Sequence, residues 1–209
     1  MITVIDYGMG NLRSVSKALE SLGAEVRVSG DAADVAKADK LILPGVGAFP
    51  AAMKELTACR LVEPIKAAIA SGKPYLGICL GLQLLFERSD EGHGAVGLGI
   101  LPGVVKRFSF NSSLVTGYSS LKIPHMGWND VSRVQDGCPL LGGIPEKAFV
   151  YFVHSYYAEP ADQSIVALES DYGGRFAAMV WRERLYATQF HPEKSQTVGL
   201  QLLKNFINL

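Results

Sequence analysis

The first half of the chain alternates between short apolar runs and amphipathic stretches. The β-branched run at 2–6, ITVID, predicts a buried strand, and NLRSVSKALESLG at 11–23 predicts a helix that ends at Gly23. The apolar face of that helix comprises Leu12, Val15, Leu19 and Leu22. AEVRV (24–28) and KLILPG (40–45) predict two further strands, with little room for a helix between them.

The next alternation surrounds a single cysteine, Cys79. The stretch CRLVEPIKAAIASGK (59–73) predicts a helix that tolerates Pro64 near its start and ends at Gly72. PYLGI (74–78) then predicts a strand, and LGLQLLFERS (80–89) predicts another helix. Strands and helices joined by short connections are typical of a parallel sheet covered on both faces.

Beyond Gly97 the helical period disappears, and β-like runs follow before a final helical segment at 194–209. These runs lie at 103–108, 149–158, 164–170, 175–181 and 185–190. We therefore expect a three-layer α/β fold: a mostly parallel central sheet with flanking helices, extended by antiparallel or mixed strands in the middle third. The length, without repeats or a linker, predicts a single domain over 1–209.

Charge and composition disfavour several classes of function. Twenty basic residues balance twenty acidic ones without a run of like charge, so we expect neither a nucleic-acid nor a membrane surface. The opening stretch does not resemble a signal peptide, and the apolar run at 75–86 is shorter than the roughly 20 residues of a membrane span. The three cysteines have neither disulfide-framework nor metal-ligand spacing, and Cys59 and Cys138 are expected to be packing residues. We expect free thiols, a cytoplasmic location, and no metal or cofactor.

Cys79 lies where a predicted strand meets a predicted helix, between Gly77 and Gly81. This G-x-C-x-G pattern is similar to the G-x-S-x-G turn that presents a nucleophilic serine. A thiol there would stand in the first turn of a helix, whose dipole favours the thiolate, and the amide of Leu80 would point at an oxyanion. The alternative is a buried cysteine beside two packing glycines, and the pattern alone leaves both open.

A nucleophilic cysteine needs a base, and His191 is the best placed of four histidines. It ends the predicted strand LYATQF, and Pro192 holds it extended at the edge where the carboxyl ends of parallel strands meet. Glu193 either orients the imidazole or is a solvated loop carboxylate, and spacing alone does not decide. The other histidines are His93 in a flexible turn, His125 in an irregular segment and His154 in a strand, where a packed role is expected.

Two stretches, GICLGLQLLFE (77–87) and TQFHPEKS (188–195), resemble the class I, triad-type glutamine amidotransferases. The resemblance implies that Cys79 attacks the side-chain amide of L-glutamine, with His191 as base and then acid and Glu193 as its orienter. Ammonia would leave first, and water would then release glutamate from a thioester. PGVGAF (44–49) resembles the oxyanion strand of the family. The other implied site residues are Gly45, Val46, Gly47 and Leu80 at the oxyanion, and Gln83, Glu91, Ser155 and Tyr156 as glutamine contacts.

Four stretches resemble one subgroup of the family more narrowly: those at 4–20, 44–49, 124–129 (PHMGWN) and 151–157. Members of that subgroup feed ammonia to a separate (β/α)8-barrel cyclase in histidine biosynthesis, so the resemblance implies a heterodimer. Ammonia released into water becomes non-nucleophilic ammonium, which favours direct transfer across an interface. The residues implied to face the partner are Gly10, Asn11, Met126, Trp128 and Lys194. For Met126 and Trp128, core packing is an equal alternative.

Three rival functions fit parts of this pattern. A glutaminase serving a pyridoxal phosphate or anthranilate synthase is disfavoured by DYGMGN and PHMGWN. A peptidase or stress protein of the same broad fold is disfavoured by the HPE sequence and by Gln83. A non-catalytic scaffold is disfavoured because Cys79, His191 and Glu193 are all present.

Overall fold

A computed structural model describes residues 1–110 and 121–209. Its helices are α1 (Leu12–Ser21), α2 (Ala32–Lys37), α3 (Phe49–Ala58), α4 (Val62–Ala70), α5 (Leu80–Gln83) and α6 (Gln196–Ile207). The strands of the larger sheet are β1 (Ile2–Ile5), β2 (Val26–Ser29), β3 (Lys40–Gly45), β4 (Tyr75–Cys79), β8 (His125–Arg133), β9 (Lys147–His154), β11 (Val166–Asp171), β12 (Arg175–Arg182) and β13 (Leu185–Thr188). Those of the smaller sheet are β5 (Phe86–Ser89), β6 (Ala95–Val96), β7 (Leu101–Arg107) and β10 (Tyr156–Pro160).

Among the described residues, the larger sheet has nine strands in the order β2-β1-β3-β4-β13-β12-β11-β8-β9. The strands from β2 to β13 pair in parallel, and those from β13 to β9 pair antiparallel. Along β1, β3 and β13, apolar residues enter one or the other of two buried clusters, because successive side chains point to opposite faces. One cluster includes residues of α2, α3 and α4, and the other includes residues of α1 and α6. These layers confirm the predicted α/β fold with a central sheet flanked by helices.

The smaller sheet packs on the cluster shared with α2, α3 and α4, and its strand order is β10-β7-β5-β6. The apolar run at 149–158, expected to be continuous, is divided at Ser155 into β9 and β10. These two strands belong to different sheets. The break therefore brings both sheets to the same point in space, next to the end of β4.

The prediction of a long helix at 80–89 is wrong, since α5 ends at Gln83 and β5 follows. Every residue from 80 to 86 is buried, so this stretch presents no polar face to solvent. The carbonyl of Leu84 accepts from the amide of Leu98, and that of Leu85 accepts from the amides of Ile100 and Leu101. Hydrogen bonds to a neighbouring segment thus replace those that would have continued the helix.

Other local expectations were also wrong. Helix α2 does occupy the short connection between β2 and β3, where the Asp31 side chain accepts from the amide of Ala33 at 2.7 Å and caps it. Helix α3 was not expected, and the segment with His125 expected to be irregular begins the nine-residue strand β8. All three cysteines are free thiols, but Cys59 is exposed rather than packed. Among the helices of the described ranges, none combines the length and apolar character of a membrane span.

Candidate active site

Cys79 occupies a sharp turn between β4 and α5, with φ of 55° and ψ of −106°. Residues other than glycine seldom adopt a positive φ, so the surroundings must hold this conformation. A Cβ at Gly77 would lie 2.6 Å from the carbonyl oxygen of Gly81, and one at Gly81 would overlap the carbonyl oxygen of Leu43. The two glycines therefore permit α5 to cross closely over β3 and β4, as expected for a turn that presents a side chain.

His191 follows β13, the strand beside β4, and is held by hydrogen bonds to its backbone. Its amide donates to the carbonyl of Tyr151 at 3.0 Å. The Ser195 hydroxyl donates to the His191 carbonyl at 2.7 Å and accepts from the amide of Tyr151 at 3.0 Å. Pro192 begins a short 3₁₀ turn over Pro192–Lys194, which returns the Glu193 side chain toward the ring.

Glu193 and His191 form a buried pair. Oε1 of Glu193 lies 2.8 Å from Nδ1 of His191, and the two side chains are 1% and 2% exposed. A carboxylate only accepts, so Nδ1 carries a proton and Nε2 is directed elsewhere. Glu193 is therefore not a solvated loop carboxylate.

Burial alone would lower the pKa of His191, but the adjacent Cys79 and Glu193 raise it to about 10. By distance and angle, Nε2 of His191 makes no hydrogen bond to any described residue. Cys79 therefore raises the pKa of His191 because it lies close to the ring, and not through a formed hydrogen bond. The arrangement leaves Nε2 available to exchange a proton with the sulfur.

The Cys79 sulfur has two further polar neighbours. It lies 3.8 Å from the carbonyl oxygen of Val153 and 3.6 Å from Nε2 of Gln189, which donates to it. The side-chain oxygen of Gln189 accepts in turn from Nε2 of Gln83 at 3.0 Å. Gln189 is fully buried and was not identified from sequence, because one polar residue at the end of an apolar strand gives no periodic signal.

A cavity of about 300 Å³ opens above Cys79 and His191. Most of the expected oxyanion and glutamine-binding residues line it, together with Pro124, Val153 and His154, which were not expected there. The expected residues in its wall are Val46, Gly47, Leu80, Gln83, Glu91, Ser155 and Tyr156. The sequence therefore identified most of the cavity wall, from segments far apart in the chain.

The expected oxyanion segment lies beside the cysteine. Gly45 is the cross-strand neighbour of Cys79, and the chain then leaves β3 through Val46 and Gly47, which has φ of +95°. At the far side of the cavity, Oε2 of Glu91 accepts from the amide of Phe49 at 2.8 Å, at the start of α3. Glu91 thereby fixes the segment that follows the oxyanion residues.

The residues expected to face a partner lie outside the cavity wall. Met126 and Trp128 are 66% and 46% exposed on β8, so neither is a core residue. Nζ of Lys194 lies 5.8 Å from the centre of the Tyr151 ring. Gly10 and Asn11 directly precede α1, and both are partly exposed.

Comparison with known proteins identifies the family of the chain. The family model described as "Glutamine amidotransferase class-I" matches residues 3–209. A relative from Syntrophotalea carbinolica, named "Imidazole glycerol phosphate synthase subunit HisH", is 55% identical over 99% of this chain and 98% of its own length. A protein of the same name from Rhodopirellula baltica is 53% identical over 99% of this chain and 96% of its own length.

Solved structures share the fold at lower identity. The structure of PurLQS from Thermotoga maritima has a TM-score of 0.74 and 21% identity, over 99% of this chain and 97% of that one. The glutaminase domain of Trypanosoma brucei CTPS with bound acivicin has a TM-score of 0.65 and 15% identity, over 99% and 90%. The match over 3–209, with the close relatives, shows that this chain belongs to the class-I glutamine amidotransferase family.

Proposed function

We propose that this chain is the glutaminase subunit of an imidazole glycerol phosphate synthase. It would hydrolyse L-glutamine to glutamate and ammonia and pass the ammonia to a separate (β/α)8-barrel cyclase in histidine biosynthesis. The names of relatives that are more than half identical over nearly their full length support this proposal. We also propose that residues 1–209 form one domain and that the protein acts in the cytoplasm.

One observation carries the catalytic part of the proposal. Cys79 at its strained turn and His191 line one cavity. Glu193 accepts from Nδ1 of His191, and Nε2 has no hydrogen-bond partner among residues 1–110 and 121–209. A nucleophile, a base and an orienting carboxylate are the parts that covalent catalysis by a thiol requires.

In the acylation step, the Cys79 sulfur attacks the side-chain amide carbon of glutamine while its proton is held on Nε2 of His191, whose raised pKa favours the proton there. The C–N bond then breaks, His191 returns the proton to the leaving nitrogen, and ammonia departs. A γ-glutamyl thioester stays on Cys79. Amides of residues 45–47 and of Leu80 would stabilise the oxyanion that forms on the way.

In the second step, His191 takes a proton from water, which attacks the thioester carbon. The C–S bond breaks, the sulfur regains a proton, and glutamate is released. Gln83, Ser155 and Tyr156 would hold the amino-acid end of glutamine during both steps, since they line the cavity beside Cys79. Glu193 would keep His191 in the required tautomer throughout.

The partner would bind on the face that carries Met126, Trp128 and Lys194, together with Gly10 and Asn11. Exposed apolar side chains near an active site are typical of an interface. We further propose that the isolated chain hydrolyses glutamine weakly and that the cyclase with its nucleotide accelerates it.

The experiment is co-purification of the chain with a (β/α)8-barrel cyclase, followed by assays of glutamate release and of cyclase product. Cys79→Ala is expected to abolish synthesis that depends on glutamine while synthesis from added ammonia persists, because only the nucleophile is removed. Cys59→Ala, at an exposed thiol, is the matched control and should leave both activities unchanged. Loss of both activities in Cys79→Ala, or retention of both, would contradict the proposal.

A further inference from the structure

A buried pair of histidines lies behind the cavity, on facing positions of β8 and β9. Nδ1 of His125 is 3.0 Å from Nε2 of His154, and the two residues are 3% and 6% exposed. Neither has a part in the two chemical steps above. The aromatic rings that pack around them belong to Phe108, Phe152, Tyr172 and Phe176.

Hydrogen bonding fixes the proton on each ring. Nδ1 of His154 is 2.9 Å from the carbonyl oxygen of Tyr156, which can only accept, so this nitrogen carries a proton. Burial lowers the pKa of His154 to about 3 and that of His125 to about 4, so both rings are neutral near pH 7. A neutral ring has one proton, and Nε2 of His154 therefore accepts from Nδ1 of His125. The amide nitrogen of Asn129 lies 3.4 Å from the last ring nitrogen, Nε2 of His125, and shares its two hydrogens among that nitrogen, the Ser170 hydroxyl oxygen at 3.2 Å and the Asp171 carbonyl oxygen at 2.9 Å.

All four ring nitrogens are thus engaged, and none is left to take a proton from a substrate or to bind a metal. The chain of hydrogen bonds ends at the carbonyl of Tyr156, which also accepts from Nε2 of Gln83 at 2.9 Å. Gln83 and Tyr156 both line the cavity. His154 itself lines the cavity, and the pair also reaches the wall through the Tyr156 carbonyl, whose two lone pairs are both used.

The same two strands connect exposed residues to the catalytic ones. The carbonyl of Val153 on β9 lies 3.8 Å from the Cys79 sulfur, and the carbonyl of Tyr151 accepts from the amide of His191. The cross-strand neighbours of these two residues on β8 are Met126, opposite Val153, and Trp128, opposite Tyr151. The register of β8 against β9 therefore sets the position of the exposed face relative to both catalytic residues.

We propose that the His125/His154 pair is a positioning unit that locks β8 in register against β9 and fixes the Tyr156 carbonyl and Gln83 for glutamine binding. A slip of one residue would turn these side chains to the opposite face, and a buried hydrogen bond between facing rings opposes it. This inference rests on the proposed glutaminase activity and extends it to how the substrate is held. Within the described residues, neither histidine is hydrogen-bonded to Cys79, His191 or Glu193.

The test compares the wild-type complex with complexes that carry His154→Phe alone or His125→Phe with His154→Phe. Replacing both partners by apolar rings leaves no buried nitrogen unpaired, so the double variant should unfold at nearly the wild-type temperature. Both variants should raise KM for glutamine about tenfold, as expected for the loss of roughly one hydrogen bond. The kcat should change less than about twofold, because Cys79 and His191 keep their own partners. His93→Asn, in an exposed turn whose φ of 61° asparagine tolerates, is the control and should leave KM unchanged.

A double variant that folds and binds glutamine with the wild-type KM would overturn the inference, as would a fall in kcat with KM unchanged. If the wild-type complex releases no glutamate, the proposed function and this inference fail together. Nitrogen NMR of the wild-type chain gives a readout that requires no variant. It should show unprotonated Nε2 and protonated Nδ1 on His154 at neutral pH, and a charged ring on either histidine would also overturn the inference.

Discussion

Hydrogen bonds hold His191 in place at both its backbone and its ring. The Tyr151 carbonyl and the Ser195 hydroxyl hold its amide and carbonyl, and Glu193 holds Nδ1. In the described part of the chain, Nε2 is the one ring nitrogen of His191 without a hydrogen bond, and the residue lines the same cavity as Cys79. Because these contacts hold the ring in one orientation, little conformational entropy is lost when His191 exchanges a proton with the sulfur.

Stability should depend on pH through His191. Its pKa in the folded chain, about 10, exceeds the ordinary value of 6.5, so protonated His191 stabilises the fold fully below about pH 6.5. This contribution is lost as pH rises through about 10. The free energy of unfolding, measured with urea, should therefore differ more between wild type and His191→Asn at about pH 6 than at about pH 10.

The contribution of Cys79 to this effect can be separated. In a Cys79→Ala background, the pH dependence of the His191→Asn difference should be smaller, because one of the two groups that raise the pKa is gone. If the free energy of unfolding differed between wild type and His191→Asn by the same amount at both pH values, with Cys79 present, the raised pKa could not belong to His191.

The turn at Cys79 depends on small residues around it. Helix α5 approaches β3 so closely that a methyl group at Gly81 would overlap the carbonyl of Leu43. Backbone at both sides of this contact belongs to regular elements, so neither can move aside cheaply. The four-residue helix is held in place by these contacts rather than by its own length.

Gly81→Ala should therefore destabilise the chain by about 3 kcal/mol or more, at the upper end of what overpacking costs. The matched control is Gly142→Ala, where a Cβ would meet its nearest atoms at an ordinary 3.7 Å and the backbone has a negative φ. Thermal and urea unfolding of the two variants measures the difference. Equal stability of the two variants would show that α5 can shift away from β3.

Prediction from sequence succeeded where the spacing of apolar residues follows either the strand period or the helix period. The alternation of apolar strand and amphipathic helix identified β1, α1, β4 and α6, and the turn between two glycines identified Cys79. It failed at 80–89 because residues 80–86 are all buried and have no polar face to set a period, so strand β5 was taken for helix. Gln189 and the His125/His154 pair act through partners that are distant in sequence. No local pattern in the sequence therefore reveals their role.

The strands β8 and β9 form one end of the larger sheet, where the described chain has an exposed apolar face. Met126, Trp128 and Phe149 are 66%, 46% and 63% exposed, and Phe149 was not recognised from sequence. Such a face close to a site that releases ammonia fits a partner that receives the product without exposure to water. The proposed heterodimer accounts for the position of this face.

Trp128→Ala should weaken binding to the cyclase at least tenfold, since truncating a tryptophan at the centre of an interface often costs about 2 kcal/mol or more. Val96→Ala is a matched control on the smaller sheet, at a residue that is 74% exposed. Titration calorimetry or surface binding with the purified cyclase measures both affinities. A tryptophan variant that binds as tightly as the valine variant would place the interface elsewhere.

Labelling with a glutamine analogue that carries a diazoketone in place of the side-chain amide shows whether Cys79 is the nucleophile. The thiol of Cys79 should attack the analogue with loss of nitrogen gas, and mass spectrometry should locate one adduct on Cys79 and none on Cys59 or Cys138. Glutamine should protect against labelling, and His191→Asn should slow it because the sulfur loses its base. Labelling of another residue, or full glutamate release from a chain whose Cys79 is already modified, would contradict the account.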